Sequence, residues 1–282
     1  MTKKVIVTTT INPPTKALNL FSSKEGWDLI VVGDLKTPHE LYEKVKCIYL
    51  DPTYQELKYK ELSDAIGWNC IQRRNIGFVE AHHRGYEIIA TVDDDNIPYQ
   101  DWGKDLFVGE QIEINLFSSE NKYFDPLSVT NIKDLWHRGY PVEFISTKNR
   151  VEYLGKSLRN ILIQADLWDG DPDIDALCRL PHKPMVKIKN LSPYGSINPS
   201  PFNSQNTFLH KTVLPYFPMI PFVGRMDDIW GSYIAQKQFP ESLVYCKPSV
   251  FQDRNPQDLI LNLEKELLGY RHTLDFIRNP VK

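Results

Sequence analysis

Residues Ile88 to Val92 form an unbroken apolar and β-branched run that leads straight into Asp93, Asp94, Asp95 and Asn96. Such a run reads as a buried strand. A core cannot hold three adjacent negative charges, so the acids must leave the strand at a cleft or at solvent. Side chains alternate along an extended chain, which sends Asp93 and Asp95 to one side and Asp94 to the other. Two carboxylates ~6 Å apart at an effective dielectric near 20 repel by roughly 3 kcal/mol. Water at a surface turn dissipates that repulsion, whereas a cleft retains it and a divalent cation converts it into binding. Mg²⁺ or Mn²⁺ suits such an oxygen-only pair, completed by water and substrate phosphates. A charged exit from strand to turn is the plain alternative. Three acids and an amide behind a clean apolar strand favour the metal reading.

The chain before this run sets the fold class. Residues 4–9 are a β-branched strand running into Thr8-Thr9-Thr10-Ile11-Asn12-Pro13-Pro14, after which Thr15 can cap a helix to about Phe21. Residues 27–32 read as a second strand closed by Gly33-Asp34, residues 39–45 as a short helix, and residues 47–50 as a third strand. Between residues 69 and 84 apolar positions recur at helical spacing, with Gly85 just beyond. This alternation predicts an α/β fold with a mostly parallel central sheet and helices on both faces. Ligands of such sheets sit outside the carboxyl ends of the strands. The 9–12 turn, Asp34 and the Asp93 run therefore share one edge.

Beyond Asn96 the pattern loosens. Strands are expected near residues 112–117, 161–167 and 244–250, and a helix over 226–237 opening with Asp227-Asp228. A final amphipathic helix uses Leu259, Leu263, Leu267, Tyr270, Leu274 and Ile277. Residues 181–221 are proline-rich and read as irregular chain around the polar stretch Asn203-Ser204-Gln205-Asn206-Thr207. No linker or repeat interrupts the sequence, so one domain over 1–282 is expected, with a nucleotide-binding half (1–96) and an acceptor-side half (97–282). Asp171, Asp173 and Asp175 lack the glycine and terminal glutamate of a calcium loop and read as a structural turn.

Several function classes are excluded. Net charge is −3 with no lysine or arginine block, which argues against a nucleic-acid partner. Cys47, Cys70, Cys178 and Cys246 lie far apart and read as reduced core residues. Val5-Ile6-Val7 is too short for a signal peptide, and no run approaches the ~18 apolar residues of a membrane span. A cytoplasmic protein without a membrane span is expected. Neither Gly-x-x-x-x-Gly-Lys nor Gly-x-Gly-x-x-Gly occurs, so the NTPase and dinucleotide readings lose their signatures. Nucleotide-sugar chemistry remains, in which the cation would neutralise a diphosphate and stabilise it as a leaving group.

Seven pieces occur in one order: residues 8–15; Trp27 with residues 32–38; Arg74-Asn75-Ile76-Gly77-Phe78; residues 93–96; residues 171–180; residues 203–207; and Asp228-Ile229-Trp230. In these the chain resembles the STELLO-type glycosyltransferases and, more distantly, the reversibly glycosylated polypeptides, which share a GT-A nucleotide-sugar fold. The resemblance implies a metal-dependent hexosyl- or pentosyltransferase. It would move sugar from a nucleoside diphosphate-sugar, UDP-sugar first, to the hydroxyl of a glycan or other acceptor. Asp93 and Asp95 would then hold Mn²⁺ or Mg²⁺ at a DxD-like site beside Asp94. Thr9, Thr10, Asn12 and Asp34 would hold the nucleoside, with Lys36, Arg74 and Asn75 near base, ribose or phosphate. Asn203, Gln205 and Asn206 suit sugar hydroxyls, because side-chain amides both donate and accept. Arg179, Arg225 and Trp230 complete the substrate side, and His210 is a candidate further metal ligand. An inverting transferase needs a carboxylate to take the acceptor proton. Asp228, which matches the family pattern, is the expected base, with Asp227 beside it at the positive end of a helix. The alternatives are a nucleotide-sugar mutase and a non-catalytic partner of a glycan-synthesising enzyme. Apolar helix faces can close either a core or a homodimer.

Overall fold

In the computed structural model, which describes residues 2–189, 191–254 and 256–279, the first half of the chain supplies four parallel strands. They are β1 (Lys4–Thr10), β2 (Asp28–Gly33), β3 (Ile48–Leu50) and β4 (Ile88–Val92), in the spatial order β3-β2-β1-β4. The crossovers carry α1 (Lys16–Ser22), a 3₁₀ segment at His39–Lys44, α2 (Pro52–Lys58), α3 (Lys60–Ile66) and α4 (Arg74–His83). The Thr15 hydroxyl accepts from Leu18 N at the start of α1, as its cap position predicts. Helices α2 and α3 have no counterpart in the sequence reading. Asp51 caps the first of them, with Pro52 in its opening turn.

All five residues of β4 are buried. Burying an Ile or Val side chain stabilises by roughly 1.5–3 kcal/mol, so this strand is anchored on both faces and delivers its acidic end to a fixed place. Helix α4 lies close on the sheet at Gly77, where a Cβ would come 2.5 Å from Val7 Cγ1 and 2.9 Å from Val32 Cγ2. Only glycine permits that approach, and it presses Arg74, at the start of the same helix, against the strand ends.

The second half continues the same sheet with β5 (Asn96–Pro98), β6 (Gln111–Ser119), β7 (Val151–Asn160), β8 (Ile163–Gly170), β9 (Tyr194–Ser196), β10 (Asn206–His210) and β11 (Leu243–Gln252). The order runs β4-β10-β8-β11-β9-β6-β7, with β5 paired to β11. Three helices accompany these strands: α5 (Ala176–Arg179), α6 (Asp227–Gln238) and α7 (Leu259–Arg278). Strand β10 is antiparallel to both β4 and β8, and β11 is parallel to β8. The carboxyl ends of β4, β8 and β11 therefore reach one edge of the sheet, and the amino end of β10 reaches it too.

Strand β10 lies inside the proline-rich stretch read as irregular chain. Its apolar part is only Phe208-Leu209 behind Asn206-Thr207, too short for an alternation signal. Strand β7 was also missed, because it is a largely exposed edge strand. Helix α7 is present, but its buried seam is Glu266, Gly269 and Thr273, while Leu267 is exposed. The seam is polar because the partners are specific. Glu266 pairs with Arg225, and Thr273 accepts the Trp230 indole N–H at 3.0 Å. Among the described residues no helix is long and apolar enough to cross a membrane.

Candidate functional site

The strand-end edge opens into a cleft of about 540 Å³, lined by Asp93, Ser204, Gln205, Asp227, Asp228 and three arginines, Arg138, Arg225 and Arg254. A smaller pocket of about 240 Å³ adjoins it, walled by Thr9, Thr10, Asn12, Asp34 and Asp94. The two share Asn69, Cys70 and Ile71. Asn69 holds a left-handed backbone conformation (φ 57°), which asparagine tolerates better than most residues. Asp34 braces this junction: its carboxylate accepts from Asn69 N at 2.8 Å, Cys70 N at 3.1 Å and Leu35 N at 2.7 Å. Asp34 thus shapes the wall with backbone bonds.

Residues 93–96 form a turn closed by Asn96 N donating to Asp93 O at 3.3 Å. Asp94 faces the smaller pocket, where its Oδ2 accepts from Thr10 Oγ1 at 2.5 Å and Asn12 Nδ2 at 3.0 Å. Asp93 faces the larger cleft and receives Arg74 Nη2 on Oδ1 at 2.7 Å. Arg74 itself is fully buried and also bonds Ser204 O and Ser204 Oγ, tying β4 to the amino end of β10. Burial raises Asp93 above its ordinary value against the pull of Arg74. Asp95 has no comparable cation bonded to it. Burial, then the charge of Asp93, pushes it up to about 7, and its buried Oδ1 has no hydrogen-bond partner among the described residues. This is the electrostatic signature of a site short of positive charge.

The donor set fits a hard divalent cation in a particular way. Mg²⁺ commonly takes only one or two carboxylates from protein and the rest from water and substrate phosphates. Asp93 and Asp95 offer that pair. Among the described residues no group of three or more His, Cys, Asp or Glu side chains could hold a metal, so the phosphates would be needed to complete the shell. His210 cannot join it. Strand β10 runs antiparallel to β4 and places His210 beside Ile88, at the opposite end from Asp93, where its Nδ1 pairs with Thr212 Oγ1 at 2.9 Å. The antiparallel direction of β10 was not readable from sequence, and it overturns that expectation.

The acid pair at the start of α6 divides sharply. Asp228 is saturated: Arg138 Nη1 donates to Oδ1 at 3.1 Å, and Ser204 N and Oγ donate to Oδ2 at 2.9 and 3.0 Å. Burial, the largest influence, would raise its pKa, but the charge and hydrogen bonds of Arg138 together with the Ser204 N–H hold the carboxyl below its ordinary value. Asp227 also lines the cleft and, among the described residues, its carboxylate accepts one side-chain hydrogen bond, from the Gln72 amide at 3.0 Å on Oδ2. Burial, then the neighbouring Asp228 charge, pushes Asp227 up to about 7. A carboxylate tied down by a guanidinium is a poor proton acceptor, while one titrating near neutrality is suited to the task. The geometry thus favours Asp227 over the expected Asp228.

Other expected residues serve the framework. Asn75 clips the 217–222 loop, donating to Met219 O at 2.8 Å and accepting Met219 N at 2.9 Å. Asn206 is buried among Asp166 O, Leu167 O, Ser249 and the Trp102 indole. Asn203 donates to Asp173 at 2.8 Å. Trp230 stacks on Phe276 with centroids 4.4 Å apart. Arg179 donates through Nη2 to Asp171 and the Pro172 carbonyl, and its buried Nε has no hydrogen-bond partner among the described residues. Lys36 is exposed and lines neither pocket. Gln205 and Arg225 do line the main cleft. Sequence reasoning missed Gln72, Arg138 and Arg254. The first two lie outside any motif and become visible only when the chain folds. Arg254, two residues past a strand, could have been found by applying the strand-end rule to β11 as well.

No protein-family model matches the chain. It is 26% identical over 260 residues to Probable glycosyltransferase STELLO1 of Arabidopsis thaliana, and equally to Probable glycosyltransferase STELLO2 of the same organism. Each match covers 84% of this chain and 33% of the relative, so the chain spans about a third of the length of these proteins. Among solved structures, M. tuberculosis glucosyl-3-phosphoglycerate synthase matches with a TM-score of 0.51 at 11% identity, covering 100% of this chain and 82% of that one. The resemblance to STELLO-type glycosyltransferases read from the motifs is thus found along most of the chain, and the α/β architecture is GT-A-like.

Proposed function

We propose that this chain is a glycosyltransferase domain that binds a nucleoside diphosphate-sugar, UDP-sugar first, across the two joined pockets. The observation that carries the reading is the meeting at one sheet edge of an under-compensated acid pair, Asp93 and Asp95, with a neutral-range carboxylate, Asp227. The small pocket takes the nucleoside, against the turn at Thr9, Thr10 and Asn12. The large one takes the diphosphate, the sugar and the acceptor. Asp93 and Asp95 would hold Mn²⁺ or Mg²⁺, which would supply Lewis-acid stabilisation of the departing diphosphate. Arg74 keeps Asp93 oriented, and Gln205, whose buried Oε1 has no hydrogen-bond partner among the described residues, is placed to accept from a sugar hydroxyl.

Transfer then follows an inverting displacement. The acceptor oxygen bonds to the anomeric carbon as the bond to the diphosphate oxygen breaks, and the leaving group keeps that electron pair. Asp227 accepts the proton from the acceptor hydroxyl. Asp228 acts through Arg138, whose fixed guanidinium keeps the two carboxylates in unlike protonation states. A base that titrates near 7 must be deprotonated to work, so transfer rises as pH increases through about 7. A pH–rate profile that stays flat from 5 to 9 would remove Asp227 from this role.

The primary experiment is calorimetric titration of a nucleotide-sugar panel with and without Mn²⁺, on wild type and Asp95→Asn. One donor should bind in a metal-dependent way, and the variant should lose that binding. Failure of every donor to bind under either condition overturns the transferase reading. Interconversion of a bound donor without acceptor would identify a mutase instead.

A further inference from the structure

Arg254 is a buried cation that the reading above leaves unused. It lies two residues beyond Gln252, the last residue of β11, at the same edge as the carboxyl end of β8. Its side chain is 6% exposed and lines the main cleft. It forms two long ion pairs, Nε 3.5 Å from Asp171 Oδ1 and Nη2 3.8 Å from Asp173 Oδ1. Neither nitrogen has a hydrogen-bond partner among the described residues. Both carboxylates are already held, Asp171 by Arg179 at 2.5 Å and Asp173 by Arg138 through two bonds of 3.0 Å. Arg254 is therefore a secondary charge partner for both acids, behind Arg179 and Arg138.

A buried guanidinium with idle N–H groups is costly unless something occupies them. Further idle polar atoms gather at this edge: Asp95 Oδ1, Gln205 Oε1 and both amide atoms of Gln252. Gln252 pairs in register with Asn96, which ties it to the acidic turn. A planar fork of N–H donors matches the paired oxygens of a phosphate group, and among the described residues no carboxylate hydrogen-bonds its Nε or Nη2.

We propose that Arg254 is an anion-binding residue that takes phosphate oxygens of a diphosphate in the main cleft, so that the site retains diphosphate affinity without a divalent cation. The inference rests on the diphosphate part of the function proposed above. The chain's hold on its donor then has two components, one through Asp93 and Asp95 and requiring a cation, the other through Arg254 and independent of it.

The probe is inorganic pyrophosphate, titrated calorimetrically in EDTA into wild type, Arg254→Gln and Arg254→Lys, with thermal unfolding of each protein as a check on folding. Wild type should bind. Arg254→Gln should weaken binding about ten-fold or more, as loss of a charged hydrogen-bond donor implies, and Arg254→Lys should fall between, keeping the charge but not the fork. Undiminished affinity in Arg254→Gln overturns the assignment. If that variant does not fold, undiminished affinity in Arg254→Lys overturns it. Wild type that binds pyrophosphate only with Mn²⁺ overturns it as well, and leaves the transferase reading intact. The reverse pattern is also decisive: pyrophosphate binding through Arg254 with no nucleotide-sugar bound more tightly sustains Arg254 and sinks the nucleotide-sugar reading.

Discussion

Residues 93–95 and 171–175 are two acidic segments in similar places. Each follows a buried strand, β4 or β8, and these strands flank β10 with their carboxyl ends at the same edge. The later segment has its acids hydrogen-bonded, although burial pushes Asp175 up to about 7, as it does Asp95. Asp171 meets Arg179, and Asp173 receives Arg138 and Asn203. Asp175 caps α5 through Cys178 N and accepts the Trp136 indole at 2.7 Å. Burial disfavours the Asp173 anion, yet Arg138, then His137 and Arg254, hold its carboxyl far below the usual range. The earlier segment is only partly compensated. Asp93 has one guanidinium, and Asp95 has an idle oxygen and a pKa pushed up to about 7. The lesson is that acid density does not distinguish a structural turn from a binding site. What separates them is whether the fold brings enough donors and cations to satisfy the acids.

The largest effect expected from this contrast is on folding. Asp173→Ala removes the main partner of buried Arg138 and should cost about 3–5 kcal/mol, measured by urea unfolding. Asp95→Asn should cost almost nothing, and a comparable loss there would erase the contrast. Next, Asp227→Asn should slow transfer by about 10²–10⁴-fold while donor binding survives. Full activity in that variant would return the base to Asp228. Third, Asp95→Asn should weaken Mn²⁺-dependent donor binding by about ten-fold or more, the scale of one charged contact, leaving the metal-independent component in place.

The smallest effect is a pH dependence of stability in metal-free buffer. The folded-state pKa of Asp95 is raised to about 7, above the unfolded value of about 3.9. Its contribution is therefore fully present in acid and is lost as pH rises through about 7. Wild type and Asp95→Asn should have similar Tm values below about pH 4, and the variant should gain on wild type as the pH rises from there to about 7, with a constant gap beyond. A Tm difference that does not change with pH would show that Asp95 is already compensated.

Much of the first half was legible because its signals are local. Strands β1, β2 and β4 are short β-branched runs, the Thr15 cap is a three-residue pattern, and the Asp93 run ends a strand so apolar that its direction into a cleft follows. The site's second wall was less legible. Strand β10 hides among prolines, and its antiparallel direction sends His210 to the wrong end and Arg74 into a strut between strands. Helix α7 shows an apolar stripe in sequence but buries a different seam, since Glu266 and Thr273 are chosen by Arg225 and Trp230 rather than by hydrophobicity.

The sequence by itself determined the α/β class, the strand-end edge that carries the acids, and the adjacency of Asp227 and Asp228 at a helix start. These follow from hydrophobic periodicity and chain connectivity, which act over a few residues. Only the tertiary structure decided which acids are satisfied. Arg138 lies 90 residues from Asp228 along the chain and holds its carboxylate, while Gln72 lies 155 residues from Asp227 and donates one hydrogen bond to it. Coulomb energy and desolvation depend on distance through space, and that distance exists only after the sheet has brought remote segments to one edge.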